Sequence, residues 1–78
     1  MTRMEKLNEM ETKIEKLIKE LDILCPEISF YQKTKKDYSV YKKKLDKIRE
    51  TGNVNNLTIL VDRYEYILGS MKMIRSKF

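Results

Sequence analysis

The stretch LNEMETKIEKLIKELDILCPEI, residues 7–28, decides how this chain is built. Its apolar residues Leu7, Met10, Ile14, Leu17, Leu21, Leu24 and Ile28 alternate spacings of three and four. That heptad pattern keeps one stripe on one face of an α-helix. Glu9 with Lys13 and Glu15 with Lys19 stand one turn apart with the acid first, each pair contributing about 0.3 kcal/mol on an exposed face. Pro26 lacks an N–H and biases Cys25 away from helical dihedrals, so the spacing predicts a helix that ends near Leu24 or Cys25.

Outward from that stretch the pattern repeats. Ser29 followed by Gln32 fits a capping box opening a second helix. Tyr31, Tyr38 and Leu45 with Thr34, Tyr41 and Ile48 fill a second heptad frame, and Gly52 reads as a left-handed C-terminal cap. Asn53 or Asn55 is a plausible cap for a third helix. There Leu57, Leu60, Tyr64, Ile67, Met71, Ile74 and Phe78 carry the stripe, widened by Val54, Val61 and Leu68. A separate apolar row, Ile59, Tyr66 and Met73, runs well round that helix. The expectation is an all-α fold, one domain over 1–78, with helices over roughly 3–25, 30–51 and 54–77. The architecture is a small antiparallel three-helix bundle with coiled-coil-like heptad packing. The rival is a helical hairpin in which Pro26 only kinks one long helix; residues 1–25 would then lack a partner within the chain and the protein would have to oligomerise.

Composition narrows the function. Seventy-eight residues, 41% of them hydrophobic, hold one modest core. With no His and a single Cys, the usual general base and Cys/His zinc sites lack their parts, so the protein is not expected to be an enzyme and no cofactor is implied. Asp62 and Glu65 at i, i+3 are common on solvated faces and give no metal site. Gly52 and Gly69 are too isolated to cradle phosphate. Cys25 reads as a small buried hydrophobe, since no basic neighbour would hold a thiolate. A lone cysteine, no apolar leader and no long apolar run point to a cytoplasmic protein without a transmembrane segment.

Charge is uneven. Residues 1–28 carry five bases against seven acids, residues 29–52 eight against three, and residues 53–78 four against two. Lys33, Lys35, Lys36, Lys42, Lys43, Lys44, Lys47 and Arg49 therefore spread a basic band over the second helix. All of these except Lys33 are the candidate contacts for an anion or nucleic acid. Lysines outnumber arginines in that band, which disfavours base-specific reading. Tyr31, Tyr38 and Tyr41 lie on the inward frame and do not form a stacking platform. The row Ile59, Tyr66 and Met73 would sit exposed on a monomeric bundle, which implies a second apolar surface. These three, with Leu7, Ile14 and Leu21 of the first stripe, are the candidate partner or oligomer interface. The function that follows is a non-enzymatic helical interaction protein, an adaptor, chaperone-like or inhibitor subunit. It binds a protein partner or itself as a homo-oligomer. The alternative is a small basic accessory protein that binds nucleic acid non-specifically through the Lys-rich second helix. A peripheral membrane binder ranks third, because the third helix has few basic residues beside its apolar row. No motif along the chain identifies a family.

Overall fold

In the computed structural model, which describes residues 2–52 and 55–77, the heptad around Leu7 lies on a helix spanning Arg3–Leu24 (α1). Thr2 precedes it in an extended conformation, and its Oγ1 accepts a hydrogen bond from the Glu5 N–H at 3.2 Å. That cap satisfies one of the free amides of the first turn. Leu7, Met10, Ile14, Leu17 and Leu21 are buried, but the stripe then passes to Cys25, which is buried, while Leu24 is exposed. A straight helix of 3.6 residues per turn drifts off a repeat of 3.5, which carries the third heptad's Leu24 out of the core.

Pro26 ends α1 as expected. The Cys25 N–H closes the last turn on the Leu21 carbonyl at 2.8 Å, Cys25 leaves helical dihedrals, and the chain reverses over Pro26 and Glu27. The second helix, Ser29–Thr51 (α2), starts one residue earlier than a Ser29 cap requires. Ile28 is the N-cap, with extended dihedrals and no side-chain cap hydrogen bond, so Ser29 already belongs to the helix. The Gln32 amide reaches back to the Pro26 carbonyl at 2.9 Å. The capping box is therefore not formed, because the tight turn brings the Pro26 carbonyl within reach and the half-buried Ile28 draws the helix start to Ser29.

Gly52 closes α2 at φ 71°, and its N–H bonds the Ile48 carbonyl at 2.8 Å. The third helix, Leu57–Ser76 (α3), takes Asn56 as its N-cap, again without a side-chain cap bond. The cap is thus neither of the expected asparagines within the described residues: Asn55 precedes it in a turn, and Asn53 lies outside them, as do the core readings of Val54 and Phe78.

The three helices pack against one another as an all-α bundle. Consecutive helices run antiparallel, so α1 and α3 run parallel, clamped by Lys6 to Glu65 at 2.7 Å and Arg75 to Glu20 at 3.0 Å. The molecule measures 38 × 22 × 16 Å, the length of one helix of this size, which corrects the kinked-hairpin alternative. Leu57, Leu60, Tyr64, Ile67, Met71 and Ile74 of α3 meet Leu7, Ile14 and Leu21 of α1 and Tyr31, Tyr38 and Leu45 of α2 in one core. The backbones of α1 and α2 approach each other less closely than either approaches α3.

Two substitutions check the helix ends. Gly52→Ala should lower stability by about 1 kcal/mol, since alanine is strained at positive φ. Ser29→Ala should change it by less than about 0.5 kcal/mol, because no cap bond is lost. Urea unfolding followed by circular dichroism measures both, and a loss at Ser29 matching that at Gly52 would restore the capping box.

Candidate functional site

The facing sides of α1 and α2 carry a ladder of polar contacts. Lys35 Nζ lies 3.0 Å from Asp22, Lys42 Nζ 2.7 Å from Glu15, and the Arg49 guanidinium bonds Asn8. The partners step by seven along both antiparallel helices, so each rung joins positions in one constant register. Arg49 also meets Asp46 at 3.2 Å and Glu11 at 3.5 Å. Between the rungs, the Tyr31 phenol lies against Asp22 and the Ile18 carbonyl, and the Tyr38 phenol donates to Glu15 at 3.1 Å. The tyrosines thus span the wider gap between α1 and α2 and bring a polar end to each carboxylate.

This ladder divides the basic band. Lys35, Lys42 and Arg49 are engaged by α1, with more than a third of each side chain still exposed. Lys36, Lys43, Lys44 and Lys47 remain exposed on the outer side of α2, together with Lys33. Lys44 sits over the Tyr41 ring, 5.0 Å from its centroid, and Arg63 of α3 approaches the same ring at 6.0 Å. Tyr41 is therefore half-buried at the seam of α2 and α3 with cations on it, a role its place in the inward frame did not indicate; the signal lay in Lys44 three residues on.

On α3, Ile59, Tyr66 and Met73 are 57%, 62% and 56% exposed. Leu7, Ile14 and Leu21, expected to share an interface with them, are fully buried inside the chain's own core. In this fold they hold the bundle together and do not face a partner, because α3 covers them. Ile23, Leu24, Phe30 and Val40 are also exposed and were not singled out as surface residues. Leu24 misled by continuing the stripe, and the others have no periodic signal.

Ile59 joins the row to a cleft of about 570 Å³ at one end of the α2–α3 seam, lined by Tyr41, Lys44, Lys47, Ile48, Asn56 and Leu60 among others. Tyr41, Ile48 and Leu60 give it apolar walls, Thr51 and Asn56 add polar groups, Lys44 and Lys47 are basic, and among the described residues no carboxylate lines it. Among the described residues no group of His, Cys, Asp and Glu could hold a metal ion, and no helix is long and apolar enough to cross a membrane. Comparison of the chain with protein-family models, curated proteins and solved structures returns no match.

The ladder sets how stability responds to pH. The hydrogen bond from Lys42 holds the Glu15 carboxyl below its ordinary 4.5, with Tyr38 assisting against the opposing effect of burial. The Tyr31 phenol, then Lys35, hold Asp22 below 3.8. In the other direction, the bond to Glu15 raises Lys42 above 10.5, and burial first, then nearby carboxylates, push Tyr31, Tyr38 and Tyr64 well above 10.0. Carboxyls that ionise more easily when folded stabilise the fold above their unfolded pKa, and that contribution is lost as pH falls through the lowered values. Phenols and an ammonium that deprotonate less easily when folded stabilise it below about pH 10, and that contribution is lost as pH rises beyond. The melting temperature should therefore be level between about pH 5 and about pH 9 and fall on both sides. Combining Glu15→Gln with Asp22→Asn should make the acid limb shallower; an unchanged acid limb would place the responsible carboxyls elsewhere.

One buried phenol behaves differently. Tyr64 is fully buried beside Tyr38, ring centroids 5.8 Å apart, and its hydroxyl has no hydrogen-bond partner among the described residues. Tyr64→Phe should raise stability by about 1 kcal/mol by removing an unsatisfied buried hydroxyl, whereas Tyr31→Phe should lower it by breaking bonds that exist. Thermal denaturation of the two variants side by side tests the contrast, which fails if Tyr64→Phe is the more damaging.

Proposed function

We propose that this chain is a non-enzymatic helical interaction protein, an adaptor, chaperone-like or inhibitor subunit, that engages another protein or itself through the outer face of α3. The observation that carries this reading is the row Ile59, Tyr66 and Met73, more than half exposed at every position and in register along one face of α3. Large apolar side chains in register along one helix face are disfavoured in water and mark a surface that another molecule covers. The wide buried arc of α3 leaves this row on the side of the helix away from Tyr64 and Met71. A cytoplasmic setting goes with the proposal, since a lone buried Cys25 suits a reducing compartment.

A second reading draws on one specific observation: Lys36, Lys43, Lys44 and Lys47 form an exposed basic surface left over after α1 has engaged the rest of the band. It suits non-specific phosphate contact. With about four phosphates engaged, the logarithm of affinity should fall against that of salt with a slope of about −3.6.

Light scattering and partner binding test the first reading. The chain should exceed its monomer mass of 9.4 kDa at about 10–50 μM or bind an exposed-apolar dye that a partner displaces. Tyr66→Lys should abolish either behaviour with helical circular dichroism intact. A monomer that binds neither dye nor protein ends the proposal.

A further inference from the structure

We propose that the seam between α2 and α3 receives an acidic amphipathic helix of a partner protein, laid along Ile59, Tyr66 and Met73 with its acidic edge toward α2. This rests on the interaction reading above and specifies the chemistry of the partner. The charge on the two sides of α2 is the first argument. Toward α1, the cations of Lys35, Lys42 and Arg49 each meet a carboxylate of the chain. Toward the α3 seam, Lys44, Lys47 and Arg63 have no ion pair among the described residues, and two of them rest on the Tyr41 ring. Positive charge left uncompensated beside an apolar row selects a ligand that is apolar on one face and anionic along one edge.

Spacing supplies the second argument. Ile59, Tyr66 and Met73 recur every two turns, about 10.5 Å apart, so the row matches the apolar stripe of one helix lying alongside α3. The cleft at the Ile59 end, with apolar walls from Tyr41, Ile48 and Leu60, has room for one large anchoring side chain, and Lys44 and Lys47 stand at its rim to meet a carboxylate.

The same geometry disfavours other occupants. Nucleic acid offers phosphates to the lysines and nothing to cover the aliphatic row. A bilayer would cover the row but would also press Asp62, which lies between Ile59 and Tyr66 on the outer side of α3, into the lipid interface. A second copy would offer its own Ile59, Tyr66 and Met73 row, but an antiparallel two-fold pairing of the two α3 helices sets the Lys44, Lys47 and Arg63 edge of one copy against the same edge of the other. The acidic α1 has its apolar stripe in the core, and its Glu11, Glu15, Glu20 and Asp22 are paired within the chain. Asp62 further sets the direction of the partner: its basic residues, where present, belong on the edge facing away from α2.

The test uses the full chain and two synthetic helices of about twenty-one residues that share a leucine stripe at seven-residue spacing, one with a glutamate edge and one with a lysine edge. Fluorescence anisotropy at about 50 mM salt should show the glutamate helix binding at least about tenfold more tightly than the lysine helix. Lys44→Glu with Lys47→Glu should abolish or invert that preference, and Tyr66→Lys should weaken both helices. All three positions have exposed or rim side chains, and circular dichroism verifies that the variants stay folded. Equal binding of both helices, reduced by Tyr66→Lys, would overturn the acidic partner and leave the interaction reading intact. Binding of neither helix, with a monomeric mass, would overturn both. Tighter binding to phosphatidylserine vesicles or to a DNA duplex than to the glutamate helix would also overturn the proposal, as would a dimer that Tyr66→Lys dissociates and that excludes both helices.

Discussion

The bundle depends on α3 lying in the valley between α1 and α2. Its buried arc, from Leu57 through Tyr64 and Met71 to Ile74, faces both other helices at once. Full burial of one such aliphatic or aromatic side chain contributes about 1.5–3 kcal/mol, whereas a partly exposed ion pair contributes about 0–1 kcal/mol. Apolar contact with α3 therefore sets the spacing of the helices, and the charges adapt to it. Because α3 occupies the valley, α1 and α2 stand too far apart for leucines to meet directly along their whole length. Tyrosine and lysine, the longer side chains, cross the gap.

That division of labour explains the polar ladder. Tyr31 and Tyr38 bury their rings against the core and present their hydroxyls to Asp22 and Glu15 at its edge. Lys35 and Lys42 approach the same carboxylates from the solvent side, and Arg49 continues the series onto Asn8 and Glu11. Each rung is weak, but all occur in one register of antiparallel helices, and a slip of either helix by one residue would break every rung together. The ladder is better understood as fixing alignment than as supplying stability. It also pairs three cations with groups of α1, so the unpaired positive charge that remains is narrower than the basic composition of α2 implies and is displaced toward α3.

The functional surface follows from the same arrangement. A helix held between two neighbours can bury a wide arc, yet a row half a turn away from the centre of that arc stays outside. Ile59, Tyr66 and Met73 are such a row. The free lysines of α2 come to lie beside it only because α2 and α3 are antiparallel neighbours with Tyr41 and Arg63 at their seam. Apolar and basic features that are more than ten residues apart in the chain thereby become one face.

The sequence by itself determined the helices, the Pro26 and Gly52 reversals and most of the core, because periodicity and backbone stereochemistry are local properties. Pro26 cannot continue α1 wherever it is placed, and Gly52 alone accepts its positive φ without strain. The exposed row on α3 was legible for the same reason, since helical spacing alone puts it opposite the stripe of Tyr64 and Met71. What only the tertiary structure decided was which equivalent groups face which neighbour. Lys42 and Lys43 are adjacent and chemically alike, yet one is bound to Glu15 and the other faces water. Leu21 and Leu24 obey the same heptad, yet accumulated drift buries one and exposes the other. Ser29 and Gln32 match a capping motif, yet the carbonyl offered by the Pro26 turn captured the glutamine. Long-range register sets these outcomes, and no local pattern encodes the distance between α1 and α2 that α3 imposes.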